Sequence, residues 1–83
     1  MLTMTLKGHK RGVWDVQFSP VDKVLVSASG DCTLKVWSLL DGQIVHNLEG
    51  HTGSILKVSY LCFGLMLLSS DVNGVMKLWN VKK

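Results

Sequence analysis

The sequence predicts an all-β protein built of antiparallel strands, and three observations lead there. The 83-residue chain matches itself at an offset of 42. Apolar residues alternate with period two inside each copy, and turn signals recur about every ten residues. At that offset eight pairs are identical: Leu6/Leu48, Gly8/Gly50, His9/His51, Val16/Val58, Leu25/Leu67, Ser27/Ser69, Lys35/Lys77 and Trp37/Trp79. Of 41 comparable positions, ordinary composition would match roughly two or three. Val13/Ile55, Phe18/Tyr60, Leu34/Met76 and Val36/Leu78 add conservative pairs.

The elements follow in order. Val13 to Phe18 alternates apolar with other residues and reads as the first strand; Ser19-Pro20-Val21-Asp22 then turns the chain, with proline fixing φ. Val24 to Ser29 is apolar enough to be buried on both faces. Gly30-Asp31-Cys32 turns it again into Thr33 to Trp37, and Asp41-Gly42 leads into Gln43 to Leu48. The second copy supplies Ile55 to Tyr60, Leu65 to Ser70 and Val75 to Trp79. No segment carries a sustained helical stripe. A repeat of 40 to 45 residues is that of a propeller blade. The expected architecture is therefore antiparallel four-stranded propeller blades, about two of them, an incomplete propeller over residues 1–83. Repeat 1 runs over about 6–48, and repeat 2 over about 49–83 with its outer strand missing.

Composition narrows the function classes. With 47% hydrophobic and 18% charged residues the chain is globular rather than disordered. The net charge of +3 is spread along the chain, which permits RNA contact without arguing for it. The longest apolar run, Tyr60 to Leu68, is less than half of the roughly twenty residues a membrane helix needs. Met1 to Leu6 has no basic start and no small-residue cleavage site, so no signal peptide is expected. Cys32 and Cys62 are too few for a disulfide scaffold, which makes a reducing, intracellular setting the default. His9, His46, His51, Cys32 and Cys62 lack metal-ligand spacing, and Ser27 and Ser69 lack a nucleophile-elbow glycine pattern. No catalytic residue, metal or cofactor is expected.

Four polar or aromatic side chains recur in register: His9, Ser27, Asp31, Trp37 and then His51, Ser69, Asn73, Trp79. Their chemistry suits a hydrogen-bonded relay, because a buried indole N–H needs an acceptor, a hydroxyl can pass the chain on, and imidazole can bridge to a carboxylate. Gly-His, about 28 residues, then a Trp closing the third strand resembles the WD-repeat pattern of β-propellers. The resemblance implies that these residues form a structural tetrad in each blade. Two positions depart from the pattern: Trp37-Ser38 and Trp79-Asn80 lack the aspartate that names the family, and Asn73 stands where the tetrad has Asp. A neutral amide makes the weaker hydrogen bond to His51, so the second blade is expected to be the less stable, and Asn73→Asp to raise its melting temperature.

The stretches Gly8 to Asp22, Leu48 to Val58 and Leu67 to Ser70 resemble those of the nucleolar WD-repeat proteins of the small-subunit processome. That implies a non-catalytic scaffold in ribosomal RNA processing, in the nucleus and nucleolus. Its partners would be proteins of a multiprotein complex, with weak or indirect contact to pre-ribosomal RNA and a small nucleolar RNP, and no membrane. A WD adaptor in another complex (ubiquitin ligase or chromatin) and a non-functional fragment of a longer propeller protein are the alternatives. Candidate partner contacts are Lys7, Lys10 and Arg11 beside His9, Trp14, and Leu61 and Phe63 in an unusually apolar turn. That turn reads either as a partner surface or as sequence drift. The balanced reading of the basic cluster is a solvated loop, and of Trp14 core packing. Lys35 and Lys77 mark a wet face. Thr3 to Leu6 is expected to be the outer strand of a neighbouring blade. The remaining blades would come from a longer chain or from self-association, where three or four copies head to tail would close a ring.

Overall fold

A computed structural model of the chain describes residues 5–81. Strands β1 (Val13–Phe18), β2 (Val24–Ser29), β3 (Thr33–Ser38) and β4 (Ile44–Glu49) form one antiparallel sheet in the order β1-β2-β3-β4. Strands β5 (Ile55–Leu61), β6 (Met66–Asp71) and β7 (Met76–Asn80) form a second, in the order β5-β6-β7. The all-β expectation holds, and each sheet is a meander of sequence neighbours, as short turns dictate. Thr3 and Met4 of the strand expected over Thr3 to Leu6 lie outside the described residues; Thr5 and Leu6 belong to no strand.

The two sheets stack face to face, and the core lies between them. Val26, Ala28, Leu34 and Val36 of the first sheet meet Ile55, Val58 and Leu67 of the second, with Val24, Leu48, Tyr60, Trp79 and Val81 packed around them. Register explains the selection: Val26 pairs with Val36 and Ala28 with Leu34, so these four share one face of the pleat. Asp15 Oδ2 accepts the Val58 N–H across the joint at 3.0 Å, tying β1 to β5.

The repeat extends to irregularities. Trp14 is an extra residue in β1, between the pairs Val13↔Ser29 and Asp15↔Ala28. Leu56 is the extra residue in β5, between Ile55↔Asp71 and Lys57↔Ser70. A bulge at the same place in each copy bends the first strand of each sheet and re-aims one side chain. Turn chemistry repeats too. Cys32 N–H donates to Ser29 O and Gly74 N–H to Asp71 O, and both residues have positive φ, 71° and 80°. Glycine suits that conformation and cysteine does not. A 3₁₀ turn, Cys62–Gly64, joins β5 to β6 with all three residues at positive φ. Gly64 there packs so closely that a Cβ would lie 3.0 Å from Val21 of the β1–β2 turn.

Candidate functional site: two buried tetrads and a rim groove

The segments Gly8–His9 and Gly50–His51 carry an imidazole into the third-strand tryptophan of each sheet. A Cβ at Gly8 would come 2.9 Å from Trp37, and one at Gly50 3.1 Å from Trp79. The indole ring lies over the backbone there, so any Cβ would push against it and glycine is the residue that leaves the ring in place. That explains Gly-His as a unit better than φ freedom does.

In the first sheet Trp37 Nε1 donates to Ser27 Oγ at 2.9 Å, and Ser27 Oγ lies 2.6 Å from His9 Nε2. His9 Nδ1 lies 3.0 Å from Asp31 Oδ2. In the second sheet the distances are 2.9 Å for Trp79 to Ser69, 2.7 Å for Ser69 to His51 and 2.7 Å for His51 to a carboxylate. Since an ionised carboxylate only accepts, each imidazole carries its proton on Nδ1, and Nε2 accepts from the serine. The relay runs indole to hydroxyl to imidazole to carboxylate.

The carboxylate in the second relay is Asp71, not Asn73. This corrects the expectation that Asn73 fills that place. Asn73 enters through its backbone, whose N–H donates to Asp71 Oδ1 at 2.9 Å. Positions 27, 29 and 31 correspond to 69, 71 and 73, and alternate residues of a strand share one face. The acid can therefore reach the histidine either from the strand end, as Asp71 does, or from the turn, as Asp31 does. In the first sheet the strand-end position holds Ser29, whose Oγ accepts the Asp31 N–H at 3.1 Å and steadies the turn. With a real carboxylate in place, the reason for a weaker second blade disappears. The His51–Asp71 side chains are in fact better sealed, at 0% and 1% exposure against 6% and 10% for His9–Asp31.

Burial pushes the Asp31 carboxyl up, but hydrogen bonds from the Thr33 hydroxyl, the Lys10 N–H, the His9 ring and the Thr33 N–H hold it well below the usual carboxylate range. Asp71 is also lowered: burial raises it, and the His51 ring with the Val75 and Asn73 N–H groups outweighs that.

Serine, histidine and aspartate are thus connected as in a hydrolytic triad, yet the arrangement serves structure. Both hydroxyls are buried, and each Oγ already accepts an indole N–H, which draws electron density from the atom that would attack. Among the described residues no group of three or more His, Cys, Asp or Glu side chains stands close enough to hold a metal. Cys32 and Cys62 are free.

The candidate contact residues fall into separate places. Lys10, Arg11 and Trp14 line an open groove between the two sheets, opposite Thr52 and Ser54. Trp14, expected to pack in the core, is 61% exposed instead, because the bulge turns it out to this rim. Lys7 lies apart, in a cleft with Thr5, Trp37 and Gln43, so the basic residues do not form one patch. Leu61 ends β5 half-buried, and Phe63 is 84% exposed on the 3₁₀ turn, at the opposite end of β5 from the groove. Lys35, expected on a wet face, is buried with its amino group on Asn47 Oδ1 at 3.0 Å, and Lys77 is half-buried. Sequence reasoning missed Asp71, Asp15 and Thr33. The signal for Asp71 was its place two residues beyond Ser69, on the same face; nothing in the sequence marked Asp15.

The model for the WD domain, G-beta repeat, matches residues 1–38 and again 42–80. An Arabidopsis thaliana protein named WD repeat-containing protein WDS homolog is 40% identical over 92% of the chain, which covers 15% of that protein. Eukaryotic translation initiation factor 3 subunit I of Saccharomyces cerevisiae is 32% identical over 98% of the chain, covering 23% of its own length. Human Striatin-3 is 32% identical over 93% of the chain and 11% of itself. The chain therefore spans less than a quarter of the length of these relatives. Repeat, tetrads and matches agree: this chain belongs to the WD40 repeat family.

Proposed function

We propose that the chain is a non-catalytic scaffold on which other proteins assemble, and that the rim groove beside Trp14 is where it grips them. The observation carrying this reading is an indole turned out by a bulge next to two exposed cations, in a groove between rigid sheets. Large exposed aromatics flanked by arginine are what binding hot spots are made of. The buried tetrads hold the sheets that frame the groove, which lowers the backbone ordering cost at the moment of binding, while the Lys10 and Arg11 side chains still have to be fixed.

The finer placement is a nucleolar complex that processes small-subunit ribosomal RNA. It is supported by the likeness of the first Gly-His loop, the second Gly-His loop and Leu67-Leu68-Ser69-Ser70 to transducin beta-like protein 3. Affinity capture with the tagged chain tests both levels. Enrichment of pre-ribosomal proteins, lost on Trp14→Ala and weakened by Arg11→Ala, is the expected result. Capture unaffected by both substitutions overturns the groove, and capture without pre-ribosomal proteins overturns the placement.

A further inference from the structure

Two apolar faces of the described fold stay open, and the joint inside the molecule shows what would close them. At that joint Ile55 and Val58 are 0% and 1% exposed, covered by Val26, Ala28, Leu34 and Val36. Forty-two positions earlier than Ile55, Val58 and the partly buried Tyr60 stand Val13, Val16 and Phe18, on the outward face of the first sheet; Val13 and Val16 are 48% and 43% exposed. Forty-two positions later than the covering residues stand Leu68, Ser70, Met76 and Leu78. Leu68 pairs with Leu78 and Ser70 with Met76, so these share the outward face of the second sheet, where Met76 and Leu78 are 64% and 57% exposed.

We propose that a second copy of this chain is the occupant: the Met76–Leu78 face of one copy docks on the Val16–Phe18 face of the next, repeating the inner joint. The side chains at the two joints compensate in size. On the covering side, Leu68 for Val26 and Leu78 for Val36 add a methylene each, Met76 stands for Leu34 at similar volume, and Ser70 adds a hydroxyl in the place of Ala28. On the covered side, Val13 in place of Ile55 loses a methylene, and Phe18 in place of Tyr60 loses a hydroxyl. Such volume-conserving exchange is what packed cores tolerate best. One contact is not repeated. Lys57 stands where Asp15 stands, so no carboxylate reaches across the outer joint. Val16 N–H does not need one, because Asp15 Oδ1 of its own chain accepts it at 3.0 Å. The outer joint is therefore the weaker of the two. Because the two faces differ, the contact is heterologous and repeats until it closes. Three or four two-sheet copies supply six or eight blades, within the four to eight with which propellers close.

Light scattering of the purified 83-residue chain, with far-UV circular dichroism, tests this independently of the scaffold reading. Phe18→Lys blocks one face and Leu78→Lys the other; both side chains are exposed in the single molecule. The expected result is a discrete particle of three or four chain masses for the unaltered protein and single chains for each variant. An equimolar mixture of the variants, each keeping one intact face, should then give a particle of two chain masses. Should either variant be unfolded alone, mixing should restore its β signal. An unaltered chain that stays single or gives a continuous spread of masses overturns the proposal. So does a mixture that shows neither pairing nor recovered structure.

Discussion

Removing the Ser69 hydroxyl should cost more than any surface change in this protein. Ser69 Oγ accepts the Trp79 indole N–H at 2.9 Å and satisfies His51 Nε2 at 2.7 Å. Ser69→Ala takes one buried atom and leaves two polar groups without a partner. Each buried orphan costs about 1–3 kcal/mol, so the expected loss is roughly 2–6 kcal/mol. A domain of this size has on the order of 4–12 kcal/mol in total, so the loss is a large share. Urea denaturation followed by tryptophan fluorescence reads it as a lower midpoint. Ser59→Ala, on an exposed position of β5, is the control and should stay within about 0.5 kcal/mol. Adding Trp79→Phe to Ser69→Ala removes one orphan, so the double variant should be less unstable than the sum by about 0.5–3 kcal/mol. Additive effects, or a Ser69→Ala loss no larger than that of the control, would refute the relay as a coupled network.

Four further outcomes follow from the geometry. Asp71→Asn should lower the denaturation midpoint while Asn73→Ala leaves it nearly unchanged, and Asn73→Asp should now lower it by setting a second anion beside Asp71. Since Asp31 and Asp71 are both held below their unfolded value of about 3.9, their stabilisation is present above that pH and is lost as pH falls below it. Melting temperature should therefore drop below about pH 4, and Asp71→Asn should flatten that drop and converge on the unaltered chain in acid. The Tyr60 hydroxyl is buried without a hydrogen-bond partner among the described residues, so Tyr60→Phe, the residue already present at position 18, should raise the stability read from urea denaturation by about 1 kcal/mol. Cys32→Gly relieves a positive φ and should stabilise the β2–β3 turn by about 1 kcal/mol, a gain that equal stability of the two proteins would deny.

The chain's repeats were legible because local chemistry writes them. Alternation gives the strands, Pro20, Gly30 and Gly42 mark turns, and His9, Ser27 and Trp37 recur at 42 residues because each blade needs the same buried indole satisfied. The strand boundaries read from alternation differ from the observed ones by about a residue. The site was less legible. Asn73 aligned with Asp31 by count, yet the imidazole selects whichever carboxylate reaches its Nδ1 in space, and a strand end and a turn tip two residues apart both do. Trp14 looked like core because alternation assumes an unbroken pleat; a bulge, which depends on strand pairing, turned it outward.

Sequence by itself thus determined the fold class, the repeat and most of the relay, since these follow from periods and residue types within some forty positions. Tertiary structure decided which acid completes the second relay, where Trp14 points, and that Asp15 spans the two sheets. It also decided which apolar faces remain open. Those depend on distances between residues far apart in the chain, and such distances exist only once the sheets have packed.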